Sequence, residues 1–275
     1  MLFNESSQCS FQLGNNQDFY SRGNLCDSNG YFTYMLIADG HGSGNIISGF
    51  RDEEFPWRDI LIQPNMSLLT ETLINYMIYY GLLNNSFYDG TTLSIVKIYS
   101  NFAHLMWIGD SKIQVFKNNS SYYTTNIHNC TNLTELNNCK HKLQDSWSLE
   151  LVTKNKIKKV KSKKIVIDNE RVALTRCLGH NRLLNEHFEE KFINFNTKES
   201  ISIIAATDGF WDVVGTQDDI PTLIDNNTTA RDLCKTAYKR WRQSWIYYPL
   251  NSCRPYSKTF SKKCYDDITV SLWRQ

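Results

Sequence analysis

Short apolar runs recur along the chain and are separated by polar, turn-forming segments. Runs of this length, rich in β-branched and aromatic residues, are typical of β-strands in a folded core. Six of them are predicted as strands: 31–38, 91–98, 103–108, 112–116, 201–206 and 268–273.

Two stretches show helical rather than strand periodicity. The first, 67–80, places Leu69, Leu73, Met77 and Tyr80 on one face. The second, 229–242, begins at Thr228 or Thr229 as N-cap and places Leu233, Ala237 and Trp241 on one face. Helices thus fall between groups of strands and do not alternate with single strands. This order favours an antiparallel α+β sandwich over a doubly wound parallel sheet.

Aspartates stand at the ends of these apolar runs. A single aspartate at such a position is common, because aspartate is frequent in the turns that end strands. Several such carboxylates at the rim of a core, flanked by glycines, instead suggest a group of oxygen ligands for Mg²⁺ or Mn²⁺. The residues concerned are Asp18 beside a short aromatic segment, Asp39, Asp110 and Asp208 after apolar runs, and Asp266 and Asp267 before the last run.

Composition adds few constraints. The 275 residues are 41% hydrophobic with a net charge of +2, which gives no bias toward nucleic acid or a membrane surface. No apolar stretch approaches the roughly 20 residues of a membrane span, and the N-terminal residues lack the pattern of a signal peptide. Eight scattered cysteines suggest free thiols in a reducing compartment. We therefore expect a cytoplasmic protein. The abundance of Asn, Ile, Lys and Tyr suggests an AT-rich coding genome, and if the source is a large DNA virus, the expected location is the host cytoplasm or the virion.

Eight short motifs cover nearly the whole chain in order. They are "NNQDFY" (15–20), "IADGHGSG" (37–44), "DGTTLSIV" (89–96), "WIGDSKIQVF" (107–116), "YTTNIHNCTNLTEL" (123–136), "VALTRCLGH" (172–180), "IIAATDGFWDVV" (203–214) and "YDDITVSLW" (265–273). Together they resemble the motifs of the type 2C, metal-dependent Ser/Thr protein phosphatases. The resemblance implies a four-layer α-β-β-α sandwich with a central antiparallel β-sandwich, formed by one domain over 1–275 with inserts near 118–148 and 242–264.

The resemblance also implies a binuclear centre of two divalent cations, Mn²⁺ or Mg²⁺. Asp18, Asp39, the Gly40 carbonyl, Asp208 and Asp266 would bind the ions, with Asp39 bridging them. Asp110 and Asp212 match positions associated with a third, looser metal site, and His41 matches the general acid. Two ions about 3.5–4 Å apart lower the pKa of a shared water, which can then attack phosphorus in line. The expected substrate is a phosphorylated Ser/Thr protein, and the expected state is a monomer.

Three positions depart from the family pattern. Leu13 stands where an arginine usually clamps the substrate phosphate, and an alkyl chain cannot replace a bidentate guanidinium. Arg22, Arg176 or a lysine are candidate substitutes. His180 and Ile127 replace two acidic residues. The alternative function is therefore a catalytically impaired pseudophosphatase that acts as a scaffold or binding module.

A short insert offers four zinc-type ligands. They are His128, Cys130, Cys139 and His141, but their spacing matches none of the common zinc patterns. His128 also already aligns with a family histidine, so we do not favour a zinc site here.

Two other segments have both a structural and a binding interpretation. Seven lysines between Lys154 and Lys164 could hold an acidic partner or nucleic acid, but a solvated β-hairpin is preferred. In the 242–264 insert, Trp245, Tyr247 and Tyr248 would mark a partner or substrate-docking surface if exposed, and core packing if buried.

Overall fold

The structure is a computed structural model. It describes residues 5–13, 16–83, 88–180, 184, 186–196, 198–214, 220–224, 227–250 and 254–275. Asn15 of the first motif and residues 251–253 of the 242–264 insert lie outside the described residues. The strands are β1 Glu5–Phe11, β2 Asp18–Asp27, β3 Gly30–His41, β4 Gly90–Thr91, β5 Leu93–Ile98, β6 Phe102–Ile108, β7 Lys112–Lys117, β8 Ser120–Thr124, β9 Lys142–Thr153, β10 Lys156–Ile167, β11 Glu170–Val172, β12 Leu178–Gly179, β13 Glu189–Asn194, β14 Ile201–Ala206, β15 Ser244–Tyr248, β16 Tyr256–Thr259 and β17 Ile268–Arg274. The helices are α1 Asn45–Phe50, α2 Trp57–Leu61, α3 Met66–Tyr79, α4 Leu133–Asn138, α5 Asp208–Val214, α6 Ile220–Leu223 and α7 Ala230–Arg242.

Two antiparallel sheets pack face to face at the centre of the molecule. The first sheet has the order β1-β17-β14-β7-β8, and the second has the order β12-β4-β3-β5-β6-β13 with β2 paired to β3. Their facing side chains form one buried apolar cluster, in which Met35 and Ile37 of β3 lie with Ile203 and Ala205 of β14. Alternate residues of the same strands point outward, as the two-residue period of a strand requires.

Helices cover the outer face of each sheet. Helices α1, α2 and α3 pack on the second sheet through Phe50, Ile60 and the predicted Leu69, Leu73 and Met77. Helices α5 and α7 cover the first sheet, and α7 begins at Thr229 with a complete capping box to Asp232. The predicted four-layer α-β-β-α arrangement is therefore confirmed, and both amphipathic stretches form helices within one residue of their predicted bounds.

A third sheet adds to this sandwich and was not predicted. β9 and β10 form a long antiparallel hairpin. Along the other edge of β10, β11 pairs with its C-terminal end and β15 pairs in parallel with its N-terminal end, and β16 pairs with β15. Its inner side chains Ile157, Trp245 and Tyr247 join the cluster that contains Trp241 of α7. The two aromatic residues are therefore core, while Ile246 and Tyr248 stay on the outside.

The lysine run lies on this hairpin. Residues 156–164 are in β10, where Ile157 and Ile165 face inward and Lys161 and Lys163 pair with Asp145 of β9. The prediction of a β-hairpin is confirmed.

Two further sequence expectations can be compared with the described residues. In that part of the chain, no helix combines the length and apolar character that a membrane span needs. The seven cysteines that the structure describes are all free thiols, as expected.

Candidate metal centre

Strand pairing brings the predicted aspartates to one edge of the sandwich. Asp18 at the start of β2 lies directly opposite Asp39 of β3. Strands β14 and β17 are antiparallel neighbours, so the second residue after β14 and the second residue before β17 lie at the same end of the sheet. These positions hold Asp208, the first residue of α5, and Asp266. The predicted ligands therefore come together because of the topology, although they are scattered along the sequence.

A cleft of about 550 Å³ opens at this edge. Six of the site residues predicted from the sequence line this cleft: Asp39, Gly40, His41, Asp110, Asp208 and Asp266. Asp18 lies beneath it, only 2% exposed, and accepts a hydrogen bond of 3.0 Å from the Thr207 hydroxyl. The backbone of Asp39 is fixed by Thr92, whose hydroxyl accepts the Asp39 N–H at 3.1 Å.

The carboxylates strongly perturb one another. Burial raises the pKa of Asp39 well above its usual value, and the charges of Asp208, Asp18 and Asp266 raise it further. Burial likewise raises the pKa of Asp208, with added repulsion from Asp110 and Asp266. For Asp18, burial raises the pKa to about 7. So many acids can be ionised together only if a cation compensates their charge.

The donor set fits divalent cations that prefer oxygen. Oδ1 of Asp208 is buried and has no hydrogen-bond partner among the described residues, and an orphaned anionic oxygen of this kind is costly. In the same part of the chain, no three of the aspartates bring carboxylate oxygens within 4.8 Å of one another. The aspartates of the described chain therefore line one cleft without forming a compact three-ligand group.

The neighbours Asp266 and Asp267 have different environments. Asp267 is buried and uses both carboxylate oxygens to accept backbone N–H groups, from Leu13 at 2.6 Å and from Gln17 at 2.9 Å. Asp266 is exposed in the cleft, and one of its oxygens accepts the Asp267 N–H at 2.9 Å. Asp266 is therefore the one available to a cation.

A second cleft of about 630 Å³ adjoins the first and shares Asp110, Asp208 and Lys164 with it. Asp212 lines this second cleft with Lys112, whose ammonium lies 5.1 Å from the centre of the Trp211 ring. The Lys112 ammonium already compensates part of the negative charge of Asp110 and Asp212. It therefore weakens the attraction of these two carboxylates for a third metal ion. No pattern in the sequence marks Lys112 as a neighbour of these carboxylates.

The predicted general acid faces a second histidine. Nε2 of His41 lies 2.5 Å from Nε2 of His180, and both rings pack against Gly90, where a Cβ atom would lie 2.5 Å from Nε2 of His41. Burial, followed by repulsion from His180, lowers the pKa of His41 to about 3. His41 is accordingly a neutral imidazole at pH 7 and a weak proton donor without other changes in its surroundings.

Neither predicted arginine substitutes for the missing phosphate clamp. The Arg22 side chain binds Ser6 and lines a different cleft, between β1, β2 and α7. Arg176 is held by Glu135, with Nε donating to Oε2 at 2.8 Å, and by Glu189 at 3.4 Å. The cations in the aspartate-lined cleft are instead Lys164 and Arg171, from β10 and β11. Lys164 belongs to the lysine run, which was the signal available in the sequence.

The two glycines next to Asp39 have packing reasons that do not involve a metal. A Cβ at Gly40 would lie 2.3 Å from Cγ1 of Ile47, and a Cβ at Gly42, where φ is +79°, would lie 2.3 Å from Oδ1 of Asp89. Asp89 accepts the Ser43 N–H at 2.6 Å and so fixes the turn after His41.

The four zinc-type ligands of the 118–148 insert do not assemble. His128 lies with Glu135 and Glu189, and the other cluster of metal-type ligands in the described chain contains His41, Cys177 and His180.

The comparisons with known proteins bear on the fold. Neither a protein-family model nor a curated protein matches the sequence. A serine/threonine phosphatase from S. agalactiae superposes with a TM-score of 0.60 at 17% identity, over 98% of this chain and 99% of that protein. The serine-threonine phosphatase 2C from Toxoplasma gondii gives 0.61 at 14% identity, over 98% and 94%. A C. elegans sex-determining protein gives 0.60 at 16% identity over 99% of this chain, which spans 64% of the length of that protein.

These superpositions cover 98–99% of this chain, so the likeness extends over the whole fold. The chain therefore has the fold of the type 2C serine/threonine phosphatases.

Proposed function

We propose that the protein is a metal-dependent phosphatase of phosphorylated serine and threonine in proteins. The observation that carries the proposal is the convergence of Asp39, Asp208 and Asp266 in one cleft whose other charged side chains include two cations, Lys164 and Arg171. Carboxylates hold divalent cations, and cations attract the phosphate dianion. The likeness in fold to serine/threonine phosphatases from other organisms supports the same conclusion.

Two ions, Mn²⁺ or Mg²⁺, would be held by Asp18, Asp39, the Gly40 carbonyl, Asp208 and Asp266. When bound, they would supply Lewis acidity and a water that is nucleophilic at neutral pH. Thr207 orients the Asp18 carboxylate through its 3.0 Å hydrogen bond. Thr92 and Thr91 fix the backbone of Asp39 from both sides, since the Thr91 hydroxyl donates to the Asp39 carbonyl at 3.0 Å. Ordered ligands of this kind reduce the reorganisation needed on binding.

Lys164 and Arg171 take the role that Leu13 cannot fill. No carboxylate lies within ion-pair distance of Lys164 in the described chain, and Arg171 donates only its Nε to Gln144, at 2.9 Å. Their remaining N–H groups are thus available to phosphate oxygens. They reach the cleft from β10 and β11 of the third sheet.

His41 occupies the position from which a proton would reach the leaving alkoxide. Its neutral ring at pH 7 makes it an inefficient acid, so we expect slow turnover with alkyl phosphates and faster turnover with aryl phosphates, whose leaving groups need less protonation.

A catalytically impaired scaffold is the second candidate. The observation that favours it is the His41–His180 contact, because a family carboxylate is replaced by a group that lowers the pKa of the acid. In this case the protein would bind metal and phosphoprotein with little turnover.

The test is hydrolysis of p-nitrophenyl phosphate and of a phosphothreonine peptide, with Mn²⁺, with Mg²⁺ and with chelator. Asp208→Asn should abolish turnover, and Asp145→Asn, at an exposed ion pair on β9, should retain it. Metal-dependent turnover that Asp208→Asn removes supports the enzyme. Absence of turnover from folded protein that still binds Mn²⁺ supports the scaffold.

A further inference from the structure

Three donor atoms of the zinc-binding type meet beside the carboxylate centre. They belong to His41 at the end of β3, Cys177 just before β12 and His180 just after it, and all lie within 4.8 Å of one another. We propose that this group is a separate site for one thiophilic d-block cation, with Zn²⁺ as the expected ion. The proposal does not depend on the phosphatase function.

The chemistry of the donors separates this site from its neighbour. Thiolate and imidazole select Zn²⁺ and related ions, whereas the aspartates select Mg²⁺ or Mn²⁺. A tetrahedral ion with Zn–N near 2.0 Å and Zn–S near 2.3 Å places its ligand atoms about 3.3–3.6 Å apart. The two Nε2 atoms are now 2.5 Å apart, so a separation of about 1 Å between the rings would admit the ion.

The backbone around the site holds two of the donors in place. The His180 N–H donates to the Asp89 carbonyl at 2.7 Å, which fixes a residue whose φ is +53°. A positive φ is unfavourable in free energy for a residue other than glycine. His180 adopts this conformation with its ring directed at His41. The Asp89 carboxylate accepts the Ser43 N–H and thereby fixes the turn that follows His41.

Access and open coordination favour binding of a free ion. His41 and His180 line the cleft, while Cys177 is completely buried behind them. An ion entering from the cleft meets the two imidazoles first and the sulfur last. Three protein ligands leave a fourth position open toward the cleft, where water would bind. The Cys177 S–H bond must break on binding, and its proton passes to solvent while the thiolate binds the cation.

The other cluster of metal-type ligands shows what a filled site looks like. His128, Glu135 and Glu189 also converge. However, Arg176 lies between the two glutamates and already supplies their positive charge, with Nε 2.8 Å from Glu135.

If the proposed phosphatase function holds, Zn²⁺ at this site would bind the general acid and inhibit the enzyme. This consequence rests on that function, but the site itself does not.

The test is titration of metal-free protein with Co²⁺, which reports a thiolate ligand by a sulfur-to-cobalt charge-transfer band in the near ultraviolet. We expect the band to reach its maximum at one Co²⁺ per chain in the presence of excess Mg²⁺, which fills the oxygen sites, and to disappear when Zn²⁺ is added. Cys177→Ser should remove the band. Cys234→Ser, at an equally buried thiol on α7, should retain it.

His180→Gln provides a second variant if Cys177→Ser does not fold, and it should weaken Co²⁺ binding without removing the thiol. The proposal is wrong if wild-type protein shows no charge-transfer band, or if the band persists in Cys177→Ser. Neither result depends on turnover, so failure of this site is distinguishable from failure of the phosphatase proposal.

Discussion

The Leu13 amide donates a hydrogen bond of 2.6 Å to Oδ1 of Asp267, across 254 positions of the chain. The second oxygen of Asp267 accepts the Gln17 amide at 2.9 Å, so one carboxylate secures both ends of the segment that leads into Asp18. Position 13 thus contributes its backbone to the site, and its side chain packs against the apolar cluster beside α7. A leucine at position 13 is therefore compatible with the fold.

The different environments of Asp266 and Asp267 predict different effects of the same substitution. Asp266→Asn should remove most of the stabilisation by Mn²⁺ and should not lower the metal-free melting temperature, because the side chain faces the cleft and its negative charge repels Asp39 and Asp208. Asp267→Asn should destabilise the metal-free protein by about 1–3 kcal/mol, because an amide cannot accept from two N–H groups with both of its polar atoms. Thermal melts with and without Mn²⁺ measure both quantities. Equal effects of the two variants on Mn²⁺ stabilisation would contradict the assignment of Asp266.

The position of Lys164 and Arg171 in the cleft predicts that these two side chains bind the substrate phosphate. Lys164→Ala and Arg171→Ala should each lower kcat/KM for a phosphothreonine peptide by about 10- to 100-fold, the loss of a charge-assisted hydrogen bond of about 1.5–3 kcal/mol. Stabilisation by Mn²⁺ should not change. Lys161→Ala is the matched control, since it lies on the same strand but pairs with Asp145 at 2.6 Å on the exposed face. A loss with Lys161→Ala as large as with Lys164→Ala would indicate general electrostatic attraction and not a phosphate site.

The raised pKa of Asp18 predicts that metal binding depends on pH. Without metal, folded Asp18 keeps its proton up to about pH 7, whereas the unfolded carboxyl loses it near 3.8. The stability that this proton contributes is therefore complete below pH 3.8 and is lost as the pH rises through about 7. A cation must displace this proton and those of Asp39 and Asp208, whose pKa values are also raised, so affinity for Mn²⁺ should rise with pH.

Melting temperatures with and without Mn²⁺ between pH 5.5 and 8 measure this dependence. The increase in melting temperature produced by Mn²⁺ should grow with pH over this range. Asp145→Asn should show the same curve, because its carboxylate is exposed and does not line the cleft. An increase that is constant over this range would show that Asp18 is already ionised without metal.

The sequence predicted the parts of the molecule that follow from local periodicity. The six apolar runs are strands and the two amphipathic stretches are helices because burial against a neighbouring layer enforces those periods. The aspartates that end the runs also meet as expected, since antiparallel neighbours such as β14 and β17 bring one end of each strand to the same edge.

The contacts that depend on distant pairing could not be predicted in this way. Lys164 points into the cleft because β10 pairs with β9 and β11 over the sandwich, which no local pattern of lysines reveals. His180 meets His41 across 139 positions, through the β3–β4–β12 pairing. Arg176 seemed equally available in the sequence, but the fold uses it to neutralise Glu135 and Glu189.

The same distinction applies to the aromatic residues of the 242–264 segment. Trp245 is 1% exposed and packs with Trp241 of α7, and its indole N–H donates to the Arg240 carbonyl at 3.1 Å. The next residue, Ile246, is 42% exposed. Trp245→Ala should therefore destabilise the protein by about 3–5 kcal/mol, the usual cost of removing a buried large aromatic side chain. Ile246→Ala should change stability by less than about 0.5 kcal/mol, as substitutions at exposed positions do.

Urea unfolding of the two variants measures these differences, with the slope of the free energy against urea checked for each. The pair separates two roles for the β15–β16 hairpin, because an interaction surface would tolerate Trp245→Ala and a structural element would not. A large loss for Trp245→Ala with little loss for Ile246→Ala assigns the hairpin to the core that supports α7. Similar small losses for both would mean that the third sheet is held mainly by the β9–β10 hairpin, and that Trp245 is free to serve a partner.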